Sequence, residues 1–230
     1  MTRLLIAIPV TLLLGGAISA VSAETVEPFN GKNLDGWKLK GDKADRSHWA
    51  VGIATMDAEN PRELAFEPAE SDGQLVNIQG RGVDIYTERK FGDCVVELEL
   101  MVPQRSNSGI YLMGNYEIQV LDSYGKERIG PGDIGGIYGA SAPAKNAARP
   151  PGEWQKFVID FSAPKFADGR KAANARFNKV TLNGEVIHEN VEVEKVTGGN
   201  IGTGEQPTGP LMFQGDHGPV AYRNIRITPK

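Results

Sequence analysis

The chain has 230 residues and 25 basic against 29 acidic side chains, a formal charge of −4 that leaves no basic footprint for nucleic acid. Its length suits one sizeable β-sandwich, and a single cysteine excludes an intrachain disulfide. The 28 glycines and 14 prolines are scattered, and no long stretch keeps the apolar period of an amphipathic helix.

Residues 1–23 read as a secretory signal peptide. Arg3 precedes an apolar run from Leu4 to Leu14, Gly15-Gly16 breaks it, and Ser22 and Ala23 are the small residues of a cleavage site. The run is well short of the roughly 20 residues that span a bilayer, so no membrane span is expected. No cysteine lies near the cleavage site to take a lipid anchor. The sequence thus predicts a periplasmic or secreted protein with one domain over residues 24–230.

Along that domain, Asp42–Pro68 is polar and mixed and reads as a surface insertion around Trp49. Strand signals follow at Gln74–Gln79 and Val83–Thr87, and most clearly at Cys94–Val102. There Cys94, Val96, Leu98, Leu100 and Val102 share one face while Glu97 and Glu99 share the other, as in a half-buried antiparallel strand. Cys94 falls on the apolar parity and reads as core. Further strands are expected at Ser108–Met113, Tyr116–Leu121, Gln155–Phe161, Asn178–Leu182, Glu185–Glu189, Leu211–Gln214 and Val220–Thr228. Asn183-Gly184 signals a two-residue hairpin, because both positions of a type I′ turn need positive φ. The long irregular segments Tyr124–Gly152 and Thr197–Gly209 are of a length that tends to be functional. Many short strands without helical crossovers predict an all-β, antiparallel β-sandwich of jelly-roll form.

Parity decides which side chains share a face. In Tyr116–Leu121, Ile118 and Val120 point one way and Glu117 and Gln119 the other. The preceding strand pairs with it through the Met113–Tyr116 turn, with Ile110 and Leu112 inward and Tyr111 and Met113 outward. If Cys94–Val102 lies next in the sheet, as chain order suggests, one face displays Glu97, Glu99, Tyr111, Glu117 and Gln119. Two readings stay open. A solvated outer face ordinarily carries polar residues. The concave face of a jelly roll uses the same residues as a sugar groove, where planar hydrogen-bonding groups meet hydroxyls and an aromatic ring covers a pyranose.

A second cluster, "FQGDHGPVAYRN", brings Gln214, Asp216, His217 and Arg223 together in sequence. His217 in its tight turn is either an imidazole held by local hydrogen bonds or a general base or metal ligand. Nothing near it has zinc or EF-hand spacing. "GPGDIGGIYG" at Gly130–Gly139 follows no strand–helix pattern, so it reads as a loop backing onto the site and not as a phosphate loop.

Together "FNGKNLDGW" (Phe29–Trp37), "NSGIYLMGNYEIQVLDS" (Asn107–Ser123), "GGIYG" (Gly135–Gly139), "RPPGEWQKFVIDF" (Arg149–Phe161), "TLNG" (Thr181–Gly184) and "GPLMFQGDHGPVAYRNIRI" resemble the 3-keto-disaccharide hydrolase domain family, over nearly the whole mature chain. The resemblance implies a concanavalin- or laminin-G-like jelly roll, bacterial export, a small carbohydrate substrate and action on glycosides oxidised at C3. It implies one groove faced by Tyr111, Glu117, Gln119 and Asp122 together with His217 and Arg223. Met113 stands where that family commonly has a basic residue. A C3 ketone acidifies the C2 hydrogen, so a base can form an enolate that expels the C1 substituent, and water can then add back. On this expectation Glu117 or His217 is the base, and Arg223 or a divalent metal, calcium or manganese, stabilises the enolate. Glu97, Glu99, Tyr111, Gln119, Asp122 and Gln214 hold the sugar. The alternatives are a non-catalytic carbohydrate-binding module and an interaction domain whose polar face is merely wet. Aromatics at 7% of the chain favour the enzyme over the binding module.

Overall fold

The structure is a computed structural model that describes residues 24–41 and 44–230. The signal-peptide expectation therefore lies outside the described residues. Among the described residues fifteen strands run in chain order: β1 (Trp37–Leu39), β2 (Trp49–Met56), β3 (Leu64–Pro68), β4 (Gln74–Asn77), β5 (Ile85–Phe91), β6 (Cys94–Met101), β7 (Asn107–Leu112), β8 (Tyr116–Leu121), β9 (Gln155–Ser162), β10 (Lys165–Ala167), β11 (Arg170–Ala173), β12 (Ala175–Leu182), β13 (Glu185–Val193), β14 (Gly209–Phe213) and β15 (Val220–Pro229). They form a five-stranded sheet β1-β5-β14-β7-β8, an eight-stranded sheet β13-β12-β9-β6-β15-β4-β2-β3, and a separate β10-β11 ribbon. Every named strand pair is antiparallel, as the sequence led us to expect of an all-β sandwich.

The large sheet follows the simple alternation. In β6, Cys94, Val96, Leu98 and Leu100 are buried, while Val95, Glu97 and Glu99 are only half-buried. The inward side chains of both sheets meet in one apolar core, and its aromatic rings tie the layers together. Phe213 of the small sheet stacks on Tyr222 of the large one with centroids 3.9 Å apart and planes 8° off parallel. Trp37 and Trp49 flank that stack at 5.5 and 6.3 Å, and the Trp49 indole N–H donates to the Val83 carbonyl at 2.7 Å. Each such ring contributes roughly 1.5–3 kcal/mol through burial. The Asn183-Gly184 turn has φ of +54° and +85°, as a type I′ hairpin needs.

Two expectations are corrected. Asp42–Pro68 is not a surface insertion, because β2 and β3 complete the edge of the large sheet and Trp49 is buried. Small residues blur the β2 pattern for a reason: a Cβ on Gly52 would stand 2.3 Å from the Glu67 carbonyl and 2.6 Å from the Phe66 ring that crosses it. The second correction bears on function. β6 is bonded to β9 and β15 in the large sheet and not to β7, so the chain changes sheets between Met101 and Asn107.

Candidate active site

The small sheet departs from alternation. Strands β7, β8 and β14 are buried on both faces, even though their outer parity carries Tyr111, Glu117 and Gln119. Register brings those residues together: Tyr111 lies opposite Glu117, Gly109 opposite Gln119, and Met212 opposite Tyr111 on the other side. Gly109 makes room at the centre. A Cβ there would sit 2.4 Å from Glu117 Oε1 and 2.8 Å from the Tyr111 ring, so the carboxylate rests against bare backbone.

Three segments wall in this face. Residues 130–139 run along the free edge of β8, where the Gln119 N–H donates to Gly136 O (2.8 Å), the Gly135 N–H to Gln119 O (2.8 Å) and the Tyr138 N–H to Glu117 O (3.1 Å). His188, held neutral because burial lowers its pKa, supports that loop through Nε2 at 2.8 Å from Gly135 O. Thr197 ties down the second segment, its hydroxyl accepting from the Glu117 N–H (3.0 Å) and donating to Asn115 O (3.1 Å). The Tyr111 hydroxyl donates to Gly198 O at 3.1 Å, and Gly199, at φ +71°, leaves the space a Cβ would take 2.6 Å from that oxygen. In the third segment, the Gly215 N–H donates to Asp84 Oδ1 (3.0 Å), the Gly218 N–H donates to Asn107 O (2.8 Å), and Asn77 Nδ2 donates to the carbonyls of Gly215 and Gly218. That clamp presents His217, whose Nδ1 lies 2.5 Å from Asp216 Oδ1. A carboxylate accepting from Nδ1–H leaves Nε2 free to take or give a proton.

The half-open cavity measures about 220 Å³ and is lined among others by Tyr111, Glu117, Gln119, Gln214, Asp216 and His217. This is below the ~300–1,000 Å³ of drug-sized sites and scales to about one sugar ring. Burial pushes the Glu117 carboxyl up to about 7; the Tyr111 hydroxyl and His217 pull it down, and Asp84 and Asp216 add to the rise. Burial and the neighbouring Glu117 charge likewise hold the Tyr111 phenol well above its usual range. Three buried amide oxygens around the cavity, Asn107 Oδ1, Gln119 Oε1 and Gln214 Oε1, have no hydrogen-bond partner among the described residues. An orphaned buried acceptor costs about 1–3 kcal/mol, so three at one carboxylate point to a hydroxyl-bearing ligand.

Of the residues singled out by sequence, Tyr111, Glu117, Gln119, Gln214 and His217 converge here and four do not. Glu97, Glu99 and Arg223 lie on the outer face of the large sheet, because β6 pairs with β15 and Tyr222 takes the inward parity. Arg223 Nε donates to Glu99 Oε2 at 2.7 Å and its guanidinium stacks 3.9 Å from the Trp154 ring, while Glu97 is 4.0 Å from Lys156. Asp122 shapes a turn, Oδ2 accepting from the Arg105 N–H (2.9 Å) and Oδ1 from the Tyr124 N–H (3.3 Å). Met113 turns into the core at φ +57° instead of facing outward. Asn107 and Tyr138 line the cavity without having been anticipated. Tyr138 sits in a loop where no period operates, and its only signal is its 43% exposure as a large aromatic side chain.

Among the described residues no three His, Cys, Asp or Glu side chains converge as a metal site. The oxygen donors on the cavity, Glu117, Asp216 and the free amide oxygens of Asn107, Gln119 and Gln214, are of the type that calcium or manganese takes, and no step below runs through a cation.

A family model for the 3-keto-alpha-glucoside-1,2-lyase-like domain matches residues 24–228. Among solved structures, a candidate glycosyl hydrolase from Parabacteroides distasonis is 28% identical, with 90% of this chain and 84% of that chain covered at a TM-score of 0.65. A second candidate glycosyl hydrolase from the same organism shares the fold at 20% identity and a TM-score of 0.59, covering 90% of this chain and 94% of its own. No curated protein matches the chain.

Proposed function

The chain belongs to the 3-keto-alpha-glucoside-1,2-lyase-like family, a glycoside-acting group, and from that premise we propose that it cleaves glycosides already oxidised to a ketone at C3. Glu117 takes the C2 proton, and the C–H electron pair moves toward the C3 carbonyl to give an enolate. Collapse of the enolate forms a C1–C2 double bond and breaks the bond from C1 to the leaving oxygen, which takes a proton from His217. Water then adds at C1 and gives its proton to His217, while Glu117 returns a proton to C2. The amide oxygens of Asn107, Gln119 and Gln214 accept from the sugar hydroxyls, and the Tyr111 hydroxyl, turning from Gly198 O, donates to the enolate oxygen.

The observation that carries this reading is the pairing of one carboxyl, pushed up to about 7 by burial, with a ring of partnerless amide oxygens in a cavity of about 220 Å³. A base poised near neutrality suits proton abstraction beside a ketone. Ordinary glycoside hydrolysis needs two flanking carboxyl groups instead, and Asp216, the second carboxylate on this cavity, is engaged by His217. A non-catalytic sugar-binding module has no use for a carboxylate held at such cost in the floor of its site.

Export belongs to the same reading, with residues 1–23 as the leader, and cell fractionation with N-terminal sequencing of the mature protein tests it. For the activity, the protein is incubated with a chromogenic 3-keto-glucoside and with its unoxidised parent, each with and without chelator. Chromophore release from the keto form alone is expected. Equal release from the parent, or none from either in both anomers, overturns the proposal. Loss of release with chelator shows a cation dependence that the mechanism above lacks.

A further inference from the structure

The cavity opens beside a second and larger one of about 590 Å³, and Asp216 lines both. Its walls carry Lys40, Arg46 and Arg81 with only Asp84 and Asp216 as counter-charges. Both carboxylates are already engaged. Asp84 Oδ2 accepts from Lys40 Nζ at 2.9 Å while its Oδ1 takes the Gly215 N–H, and Asp216 holds His217. Among the described residues, Arg46 and Arg81 have neither a carboxylate partner nor a side-chain hydrogen bond. Among the described residues the wall thus carries three cations against two carboxylates, an excess of positive charge that runs against the acidic excess of the chain as a whole.

The backbone at this spot is also unusual. Arg81 sits at φ +65°, in the left-handed region where a non-glycine residue is strained. It is held there because its N–H donates to Asp216 O (3.1 Å) and the next residue, Gly82, donates to Gly215 O (3.3 Å). The segment that presents His217 therefore also fixes the root of Arg81. A Cβ on Gly82 would approach the Arg46 carbonyl to 3.0 Å, so that glycine lets the backbone at Arg46 lie against the segment that carries Arg81, and both side chains are exposed.

We propose that this second cavity is a subsite for an anionic group, a carboxylate or a phosphate, on the part of the substrate that departs from C1, with Arg46 and Arg81 as its recognition residues. Guanidinium groups suit both anions, because their planar fork matches two oxygens at once. The inference rests on the sugar-cleaving reading above for the occupant of the first cavity. It adds that the second sugar is acidic.

The test reads binding, so that it does not depend on turnover. Calorimetry with the unoxidised disaccharides glucosyl-glucose, glucosyl-glucuronate and glucosyl-glucose 6-phosphate, in each anomeric series, compares the intact protein with the Arg46→Gln/Arg81→Gln double variant and with Arg176→Gln as a distant control. At least about fivefold tighter binding of one or both acidic ligands at low ionic strength is expected, falling towards parity in about 0.5 M salt as exposed charges are screened. The double variant should lose that ratio and the control should keep it. Whether the uronate, the phosphate or both gain affinity identifies the source of the charge. Equal affinity of acidic and neutral ligands, no detectable binding of the acidic ones, or a ratio that survives in the double variant overturns the subsite. Failure of the keto-glycoside release assay, with the acidic preference intact, would instead sink the reaction and leave the subsite standing.

Discussion

Glu117 carries a conflict between stability and chemistry that can be measured. Its folded pKa stands near 7 against an ordinary value of 4.5, raised chiefly by burial. The folded state therefore binds more protons than the unfolded chain between those values, and stability falls as pH rises through that window. The full penalty, on the order of 3 kcal/mol, applies above about pH 7. Glu117→Gln should accordingly unfold at higher denaturant at pH 8 than the parent and show a flatter pH dependence, while release from a 3-keto-glucoside drops by about 10²-fold or more. In the parent the rate should rise with pH through about 7, as the carboxylate forms. A variant less stable at pH 8, or still active within a few-fold, contradicts the assignment. Gly109→Ala probes the same carboxylate from below. The new methyl would meet Glu117 Oε1 at 2.4 Å and the more rigid Tyr111 ring at 2.8 Å. Displacement of the carboxylate should cost about 10²-fold in turnover, against only about 1–3 kcal/mol of overpacking strain in a denaturation curve.

At the scale of the elements, β8 owes its double burial to what lies along its edge. Thr197 ties the start of the 197–209 loop to that strand through the Glu117 N–H and to Asn115 O, while further along the loop Glu205 accepts from the Tyr116 hydroxyl and Gly204 O from Asn115 Nδ2. Thr197→Val keeps the shape, strips both bonds and leaves a buried N–H unpaired, so a loss of about 1–3 kcal/mol is expected by chemical denaturation. Unchanged stability would mean that the Gly204 and Glu205 contacts hold the loop without the Thr197 hydroxyl. The strand itself was legible from parity in "YEIQV", and so was the pairing of Tyr111 with Glu117 through a short turn. Periodicity could not say whether that face was wet or covered, because the cover comes from loops, which have no period. The grouping of Glu97 and Glu99 with Glu117 failed for a related reason: neighbours in sequence are not always neighbours in a sandwich, and β6 and β7 lie in different sheets. Arg223 went astray by one step of parity, since its neighbour Tyr222 fills the core and sends the guanidinium to the opposite face.

Across the whole molecule, the two sheets form one core whose join is the Phe213–Tyr222 stack. Tyr222 also reaches the Ser108 hydroxyl at 3.0 Å, and the Ser108 hydroxyl donates to Gln214 O at 2.8 Å, so the core stack is linked to the strand that ends in the site. Phe213→Ala should cost about 3–5 kcal/mol in a denaturant titration and should weaken sugar binding by moving Gln214; a cost below about 1 kcal/mol would show that the stack does not join the sheets. The all-β antiparallel architecture could be read from alternation and turn chemistry, with Asn183-Gly184 as its plainest signal. The β2-β3 edge could not, because its small residues and Gly52 conceal an apolar strand as a polar insertion. The site emerges only when the two sheets, both long loops and the 214–218 turn are assembled, which explains why Asn107 and Tyr138, although they lie in segments the sequence marked, could not be singled out as lining residues. The central claim is that cleavage proceeds through loss of the C2 proton. Cleavage of a 3-keto-glucoside in D₂O, quenched early and compared with 3-keto-glucose incubated alone, tests it directly by NMR. Deuterium at C2 of the released sugar, with release by Glu117→Gln slowed about 10²-fold or more, is the predicted result; a product that keeps its original hydrogen at C2, from a substrate whose 2-deuterated form is cleaved at the same rate, would contradict the account.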